Sequence, residues 1–344
     1  ILKTIIIYFM KYQTVLNNNI TRCDICPRYC KLKNNQEGFC KVRKNIEGDI
    51  VLTTYSKTTG LAIDPVEKKP LYHFLPSSKV LSFGTLGCNM GCLFCQNEHI
   101  TKIKNTSNYP LEYITPLEIA QCAKKYDCQS IAFTYNDPVI FLEFAIDSAI
   151  FAHKLNIKTI LVSAGYINKA PREELFKYID AANIDLKGFS EKFYQKNCLA
   201  SLNPVLETLK YIKQKTNTHL EITTLLIEGE NDDEEMIKNE CVWIKNNLGC
   251  DTPLHFSAFH PAYKFMDRKR TNINTLLKAR DIALKEGLNY VYCGNIVNIE
   301  TSSTYCKNCK NLIIERNGFE VLKNNLIDSN KCKFCQSICD GIFS

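Results

Sequence analysis

Residues 87–97 read Gly87-Cys88-Asn89-Met90-Gly91-Cys92-Leu93-Phe94-Cys95-Gln96-Asn97. This C-x3-C-x2-C triplet follows the apolar run 79–85. Iron–sulfur clusters are held by cysteine thiolates, and a cubane normally takes four. Three ligands leave one iron without a protein partner, and an open metal position is where a substrate can bind and chemistry begin. The competing reading is a fragment of a zinc knuckle with His99 as fourth ligand, or scattered core thiols. Core thiols do not explain a glycine-flanked loop.

Outward from the triplet, the 344-residue chain is 45% hydrophobic, enough to bury a large core. Its 18 cysteines are clustered. Cys23, Cys26, Cys30 and Cys40 form one group, and Cys306, Cys309, Cys332 and Cys335 another. C-x-x-C pairs in a chain without secretory features point to metal in a reducing, cytoplasmic compartment. An oxygen-labile open cubane would suit an anaerobic host. A three-thiolate [4Fe-4S] site carries −1 and each four-thiolate zinc site −2, which lowers the formal +7 to about +2. The apparent basicity is therefore weak evidence for a nucleic-acid partner. The apolar N-terminal run is too short to span a bilayer and lacks a small-residue cleavage site. Met10 reads as a candidate start, with residues 1–9 an artefact of gene calling.

Residues 79–294 alternate between short β-branched runs and longer helical patterns. The runs 79–85, 130–135, 158–164, 181–187, 219–227, 254–259 and 289–294 read as buried parallel strands. Thr115-Pro116-Leu117-Glu118 is a capping box with proline at the first helical position. It opens a helix to about residue 126, and further helices are read over 138–155, 171–179, 203–215, 232–247 and 271–286. Such alternation implies right-handed βαβ units. The polar motifs fall just past strand ends: the cysteine loop, Tyr135-Asn136-Asp137-Pro138, Ser163-Ala164-Gly165-Tyr166, Asp185-Leu186-Lys187-Gly188, the loop 228–232, His260-Pro261-Ala262-Tyr263-Lys264, and Gly294-Asn295. In parallel α/β proteins that end carries the active site. The fold class is α/β, a partial (β/α)6 TIM-like barrel with cysteine-rich N- and C-terminal extensions. Three units are expected: an N-terminal extension over 1–78, a core over 79–300 and a tail over 301–344.

The triplet resembles the signature of the radical SAM superfamily. The segment 60–95, the Tyr-Asn-Asp-Pro turn, Ile184-Asp185-Leu186-Lys187-Gly188-Phe189-Ser190 and His255-Phe256-Ser257-Ala258-Phe259-His260-Pro261 narrow it. They resemble the AmmeMemoRadiSam branch, related to pyruvate formate-lyase activating enzymes. The resemblance covers the chain from about residue 20. It implies a [4Fe-4S] cluster on Cys88, Cys92 and Cys95, with S-adenosylmethionine (SAM) chelating the open iron. One electron cleaves SAM to a 5′-deoxyadenosyl radical that takes a hydrogen atom from substrate; the cofactor carries the hard chemistry and the protein places it.

Position by position, the resemblance sets Phe94 against the adenine. Asn136 and Asp137 stand where the family has a Gly-Gly-Glu turn for the SAM amino group, a departure that keeps one acidic residue. Ser163 matches a hydroxyl near the SAM carboxylate, and Val162 replaces an aspartate expected beside it. Asp185 and Lys187 match an Asp-Leu-Lys strand end, with Lys187 able to pair with the SAM carboxylate. Lys187 and His260 are the catalytic candidates. Each has a structural alternative: packing for Phe94, an ion pair for Asp185 and Lys187, a turn for Ser163, loop structure for His260. Cys198 reads as buried, or as lining the substrate pocket.

The paired C-x2-C spacing of the C-terminal group is the layout of a tetrahedral zinc ribbon. For Cys23-x2-Cys26-x3-Cys30-x9-Cys40, zinc is the first reading and an auxiliary cluster the second, because ferredoxin-type spacing is absent. The function expected is SAM-dependent hydrogen abstraction within a Memo/AMMECR-type system, on a small molecule or RNA, with ferredoxin or flavodoxin as reductant. The alternative within the superfamily is a glycyl-radical-enzyme activase acting on a protein glycine. The alternative outside it is a zinc-ribbon scaffold or nucleic-acid binder with a non-catalytic cluster.

Overall fold

The structure, a computed structural model, is described over residues 11–17, 19–104 and 109–344. The readings on residues 1–9 and Met10 lie outside the described residues. One sheet of eight strands organises the molecule. In chain order these are β1 (Leu61–Pro65), β2 (Lys79–Phe83), β3 (Ser130–Phe133), β4 (Lys158–Ser163), β5 (Ala181–Asp185), β6 (His219–Leu226), β7 (Leu254–Ala258) and β8 (Val291–Gly294). Each strand pairs with the one before it, so the sheet order is the chain order. The strands β2 to β8 are parallel, and β1 pairs antiparallel with β2 through Ala62↔Ser82 and Asp64↔Val80. No pairing joins β8 back to β1 among the described residues, so the barrel is partial.

Six helices connect the parallel strands: α1 (Pro116–Lys125), α2 (Leu142–Lys154), α3 (Lys169–Leu175), α4 (Asn203–Lys215), α5 (Glu234–Leu248) and α6 (Ile273–Lys285). The capping box on α1 is formed, with Thr115 Oγ1 accepting from Glu118 N. The helix read from residue 138 begins instead as a 3-10 turn, Pro138–Phe141, because Asp137 caps Val139 N at its entrance. Outward strand residues such as Phe83, Phe133, Leu161 and Ile222 pack under the helices. Inward residues alternate with them. At the lower end Val80, Ala132, Ile160 and Ala181 close on Val66, Leu71 and Phe74, so the segment after β1 plugs the barrel from within.

The tail covers that lower end. Phe74 pairs with Ile342, and Tyr72, Tyr290 and Tyr292 pack with Cys306, Ile313, Cys332 and Cys339. One polar chain ties the two together. Arg316 donates to Thr304 Oγ1 (2.7 Å), Thr304 to Tyr292 Oη (2.9 Å), and Tyr292 to His73 Nε2 (2.6 Å). His73 Nδ1–H completes it by donating to the Asp340 carbonyl (2.6 Å). This order requires a neutral ring, and burial pulls His73 down to about 4. Next to it the fully buried Glu221 accepts from His255 Nε2 (2.6 Å), His219 Nε2 (3.0 Å) and His73 N (2.7 Å).

Candidate active site

The cysteine loop leaves the top of β2 and is fixed by backbone contacts. Gly87 has φ +78°, and a Cβ there would lie 1.9 Å from the Cys40 carbonyl oxygen, so only glycine lets the two cysteine loops touch. Asn136 accepts from Thr85 N (3.0 Å) and donates to the carbonyls of Leu86 and Gly87 (3.2 and 3.0 Å). On the other side Gly91 N and Leu93 N donate to the carbonyls of Cys198 and Asn197, both 2.9 Å. Those acceptors belong to a π-helical turn, Tyr194–Cys198. Such turns are frequent at functional sites.

A cavity of about 410 Å³ opens at the C-terminal ends of the parallel strands. Cys88, Cys92, Cys95, Phe94, Asn136, Asp137, Ser163, Asp185 and Lys187 all line it. Nine positions scattered over a hundred residues therefore converge on one space. His260 is not in the lining; it is exposed at the rim, 3.3 Å from Gln96, which is. His99 is exposed and absent from the lining too, so it supplies no fourth ligand in this arrangement.

The charges inside are arranged. Asp137 is buried, and its Oδ1 accepts from Ser163 Oγ (2.9 Å) and Val139 N (3.1 Å), its Oδ2 from Ala164 N (3.1 Å). Burial nevertheless pushes its carboxyl up, and Oδ2 keeps one acceptor position open. Burial works against the Lys187 ammonium, but Asp185 at 2.9 Å and the thiols of Cys92 and Cys198 outweigh it and hold Lys187 well above an ordinary lysine. Burial pushes the Cys88 thiol up to about 12. Cys92 is drawn down, first by the Cys198 thiol, then by Lys187 and Lys102 against burial. Phe94 is buried against Phe193 and Phe265, with centroids 6.0 and 6.1 Å away.

Several lining residues escaped the sequence reading. Lys69 is buried and bound to Asp64 at 2.6 Å, and Lys68 reaches the same carboxylate at 2.8 Å. Lys68 and Lys69 outweigh burial and hold Asp64 down to about 2. Thr223, in mid-β6, has a buried hydroxyl without a hydrogen-bond partner among the described residues. Its signal was there in principle: it is an inward position of β6, as Glu221 and Leu225 are.

Residues 83–241 match the family model of the radical SAM superfamily. A curated relative, an uncharacterised protein of Methanocaldococcus jannaschii, is 42% identical over 321 residues, 93% of this chain and 95% of its own. The chain belongs to the radical SAM superfamily. A radical SAM methyltransferase from Sphaerobacter thermophilus superposes with a TM-score of 0.51 at 14% identity, over 65% of this chain and 68% of that one. Streptococcus suis SuiB gives 0.50 at 14%, over 67% and 52%. At such identities these two show the shared fold. Superfamily membership makes the chain a radical SAM enzyme and implies a [4Fe-4S] cluster and SAM. The residues present fit that pair of groups. Three thiols, a protonated lysine, a carboxylate with an open acceptor position and an unpartnered hydroxyl share one cavity.

The flanking cysteines differ from each other. Cys306, Cys309, Cys332 and Cys335 bring their sulfurs within 4.8 Å of one another. Cys306 and Cys335 are 3.6 Å apart, Cys309 and Cys332 3.7 Å. A tetrahedron with metal–sulfur bonds of about 2.3 Å has edges of about 3.8 Å. A disulfide would need about 2.05 Å. Cys23, Cys26, Cys30 and Cys40 line a separate, mostly apolar cavity. No helix among the described residues is long and apolar enough to cross a membrane.

Proposed function

We propose that this enzyme abstracts a hydrogen atom from a substrate that enters past His260, using SAM placed by the strand-end residues. The observation that carries the reading is the convergence of the cysteine triplet with Phe94, Asp137, Ser163, Asp185 and Lys187 on one cavity. When bound, the cluster and SAM supply a one-electron reductive cleavage to a 5′-deoxyadenosyl radical. Cys88, Cys92 and Cys95 would hold the cluster. Lys187 would offer the SAM carboxylate a fixed cation, and the open position on Asp137 Oδ2 would take the SAM amino group. Ser163 orients Asp137 through its 2.9 Å bond. Phe94 would support the adenine. Asn136 serves the site by holding the cysteine loop rather than by touching SAM, since its side-chain amide is engaged with residues 85–87.

Zinc in the C-terminal quartet agrees with its near-tetrahedral sulfur spacing, and there it would supply much of the tail's folding free energy. For the substrate, the resemblance of both cysteine-rich flanks supports a reaction within a Memo/AMMECR-type system, with ferredoxin or flavodoxin as reductant. The test is anaerobic. Protein reduced with dithionite is given SAM, and 5′-deoxyadenosine is measured with and without purified Memo-type and AMMECR-type proteins. Formation above the SAM-only rate supports the reading. No deoxyadenosine from protein with full iron content removes it.

A further inference from the structure

We infer that the substrate carries an anionic group, a carboxylate or a phosphate, received by Lys68 and Lys69 at the floor of the active-site cavity; this rests on the SAM-dependent reading above. The stretch Asp64-Pro65-Val66-Glu67-Lys68-Lys69-Pro70 leads out of β1 into the plug. Val66 and Leu71 are buried in the lower end of the barrel. Lys68, Lys69 and Pro70, between them in sequence, line the cavity above. Asn183 donates to the Pro70 carbonyl (2.7 Å) and pins this stretch to β5.

The charges there do not balance. Asp64 accepts from Lys68 (2.8 Å), Lys69 (2.6 Å) and Tyr135 Oη (3.2 Å). Two ammoniums thus share one carboxylate. Glu67 is turned away from them: it accepts from Ser77 N (2.9 Å) and lies 3.6 Å from Arg316. Asp137 is bonded to Ser163, Val139 N and Ala164 N rather than to either lysine. The other cations of the lining are engaged elsewhere, Lys187 with Asp185 and Lys102 with the Met90 carbonyl (2.7 Å). Lys69 is only 3% exposed. A buried ammonium has three donors to place and is costly to leave short of partners. This one bonds Asp64 and faces the Tyr135 ring, 5.1 Å from its centroid, and makes no other hydrogen bond among the described residues. Burial draws Lys69 down in spite of Asp64, so a second anion beside it would stabilise its charge. In the same cavity Thr223 is 7% exposed, and its hydroxyl has no partner among the described residues. Ammoniums on flexible stems and an unused hydroxyl suit the oxygens of a carboxylate or a phosphate. A pair that merely ties the plug to β1 would need one lysine. The second, half exposed, adds charge to the cavity and little to that tie.

The test is a titration of the reconstituted enzyme with SAM bound and no reductant, so that SAM stays intact and Lys187 is occupied. Inorganic phosphate, acetate and neutral acetamide are compared by calorimetry. One saturable anion site per chain is expected, with acetamide bound about tenfold more weakly or worse. Phosphate tighter than acetate assigns a phosphorylated substrate, and the reverse a carboxylic acid. Lys68→Gln, at a half-exposed side chain, should weaken the anion about tenfold, and Lys68→Gln/Lys69→Gln should abolish its binding. Acetamide bound as well as either anion, the result for a neutral peptide glycine, would overturn the inference. So would a wild type without a saturable anion site, or anion binding that survives both substitutions. None of these readings needs turnover. Reduced wild type with full iron content that makes no 5′-deoxyadenosine removes the SAM-dependent reading itself. Deoxyadenosine formed by an enzyme without a Lys68-dependent anion site removes the substrate class alone.

Discussion

At the upper end of the barrel Lys187, Asp137 and Thr223 face open space; at the lower end Glu221 and His73 face only their own partners. The residue types are similar and most are buried, yet their positions differ in what is left over. Glu221 has three donors, and His73 uses both ring nitrogens. Above, Thr223 Oγ1 has no partner and Asp137 retains an acceptor position. Burial of a polar group is costly unless it is bonded, so a leftover valence in a cavity marks a ligand, and a closed network marks architecture. Neither burial nor a shifted pKa separates Thr223 and Asp137 from Glu221 and His73; what is left over in an open cavity does.

The comparison is sharpened most by Cys92→Ala. It should abolish 5′-deoxyadenosine formation and the SAM-responsive cluster signal, with the unfolding transition of the cluster-free protein little changed. Glu221→Gln should act in the opposite sense. Leaving buried hydrogen-bond donors without their carboxylate costs about 1–3 kcal/mol, read by denaturant unfolding, while deoxyadenosine formation per folded molecule stays the same. If Glu221→Gln instead slowed SAM cleavage and left stability alone, the distinction between the ends would collapse.

The lower end should also carry a pH dependence. His73 is pulled from 6.5 to about 4 in the folded protein. The unfolded chain therefore takes up its proton first, and stability falls as pH drops from about 6.5 towards about 4, by about 3 kcal/mol. Burial works against the Glu221 carboxylate, but His219 and His255 outweigh it and hold it well below the usual carboxylate range, so it adds stability present above that range and lost as pH falls further. Unfolding at pH 7 and pH 5 of wild type and His73→Gln measures the first effect. A wild type whose stability is unchanged over that interval would remove it. The smallest expected effect is Lys187→Ala, a loss of SAM affinity of about 1.5–3 kcal/mol, as for a hydrogen bond to a charged group. It is checked by equilibrium SAM binding on the reconstituted enzyme.

The upper end was the more legible in the sequence, for a physical reason. Strand–helix alternation is local, and parallel topology sends every strand's last residues to the same place, so Asp185, Lys187 and Ser163 could be grouped with the cysteines from position alone. The lower end is built by pairings that local pattern does not encode. Nothing in residues 60–78 announces that Ala62 pairs with Ser82 or that Phe74 meets Ile342. Lys69 was hidden likewise, since its partner Asp64 lies on that unrecognised strand. His260, read by analogy as catalytic, is exposed at the rim, two residues past the end of β7. The convergence of Cys306, Cys309, Cys332 and Cys335 is likewise a property of folded loops that counting residues between cysteines does not supply.

Synthesis proceeds from the N-terminus, so all eight strands of the sheet leave the ribosome before residues 304–343 that cover its lower end. Until those residues arrive, Tyr72, Phe74, Tyr290 and Tyr292 lack their cover, and Glu221 lies at the mouth of an uncovered barrel. The catalytic half can thus assemble on a nascent chain whose underside is still open. That interval is when exposed apolar surface invites aggregation, and it places residues 304–343 after the sheet in the order of maturation as well as in the chain.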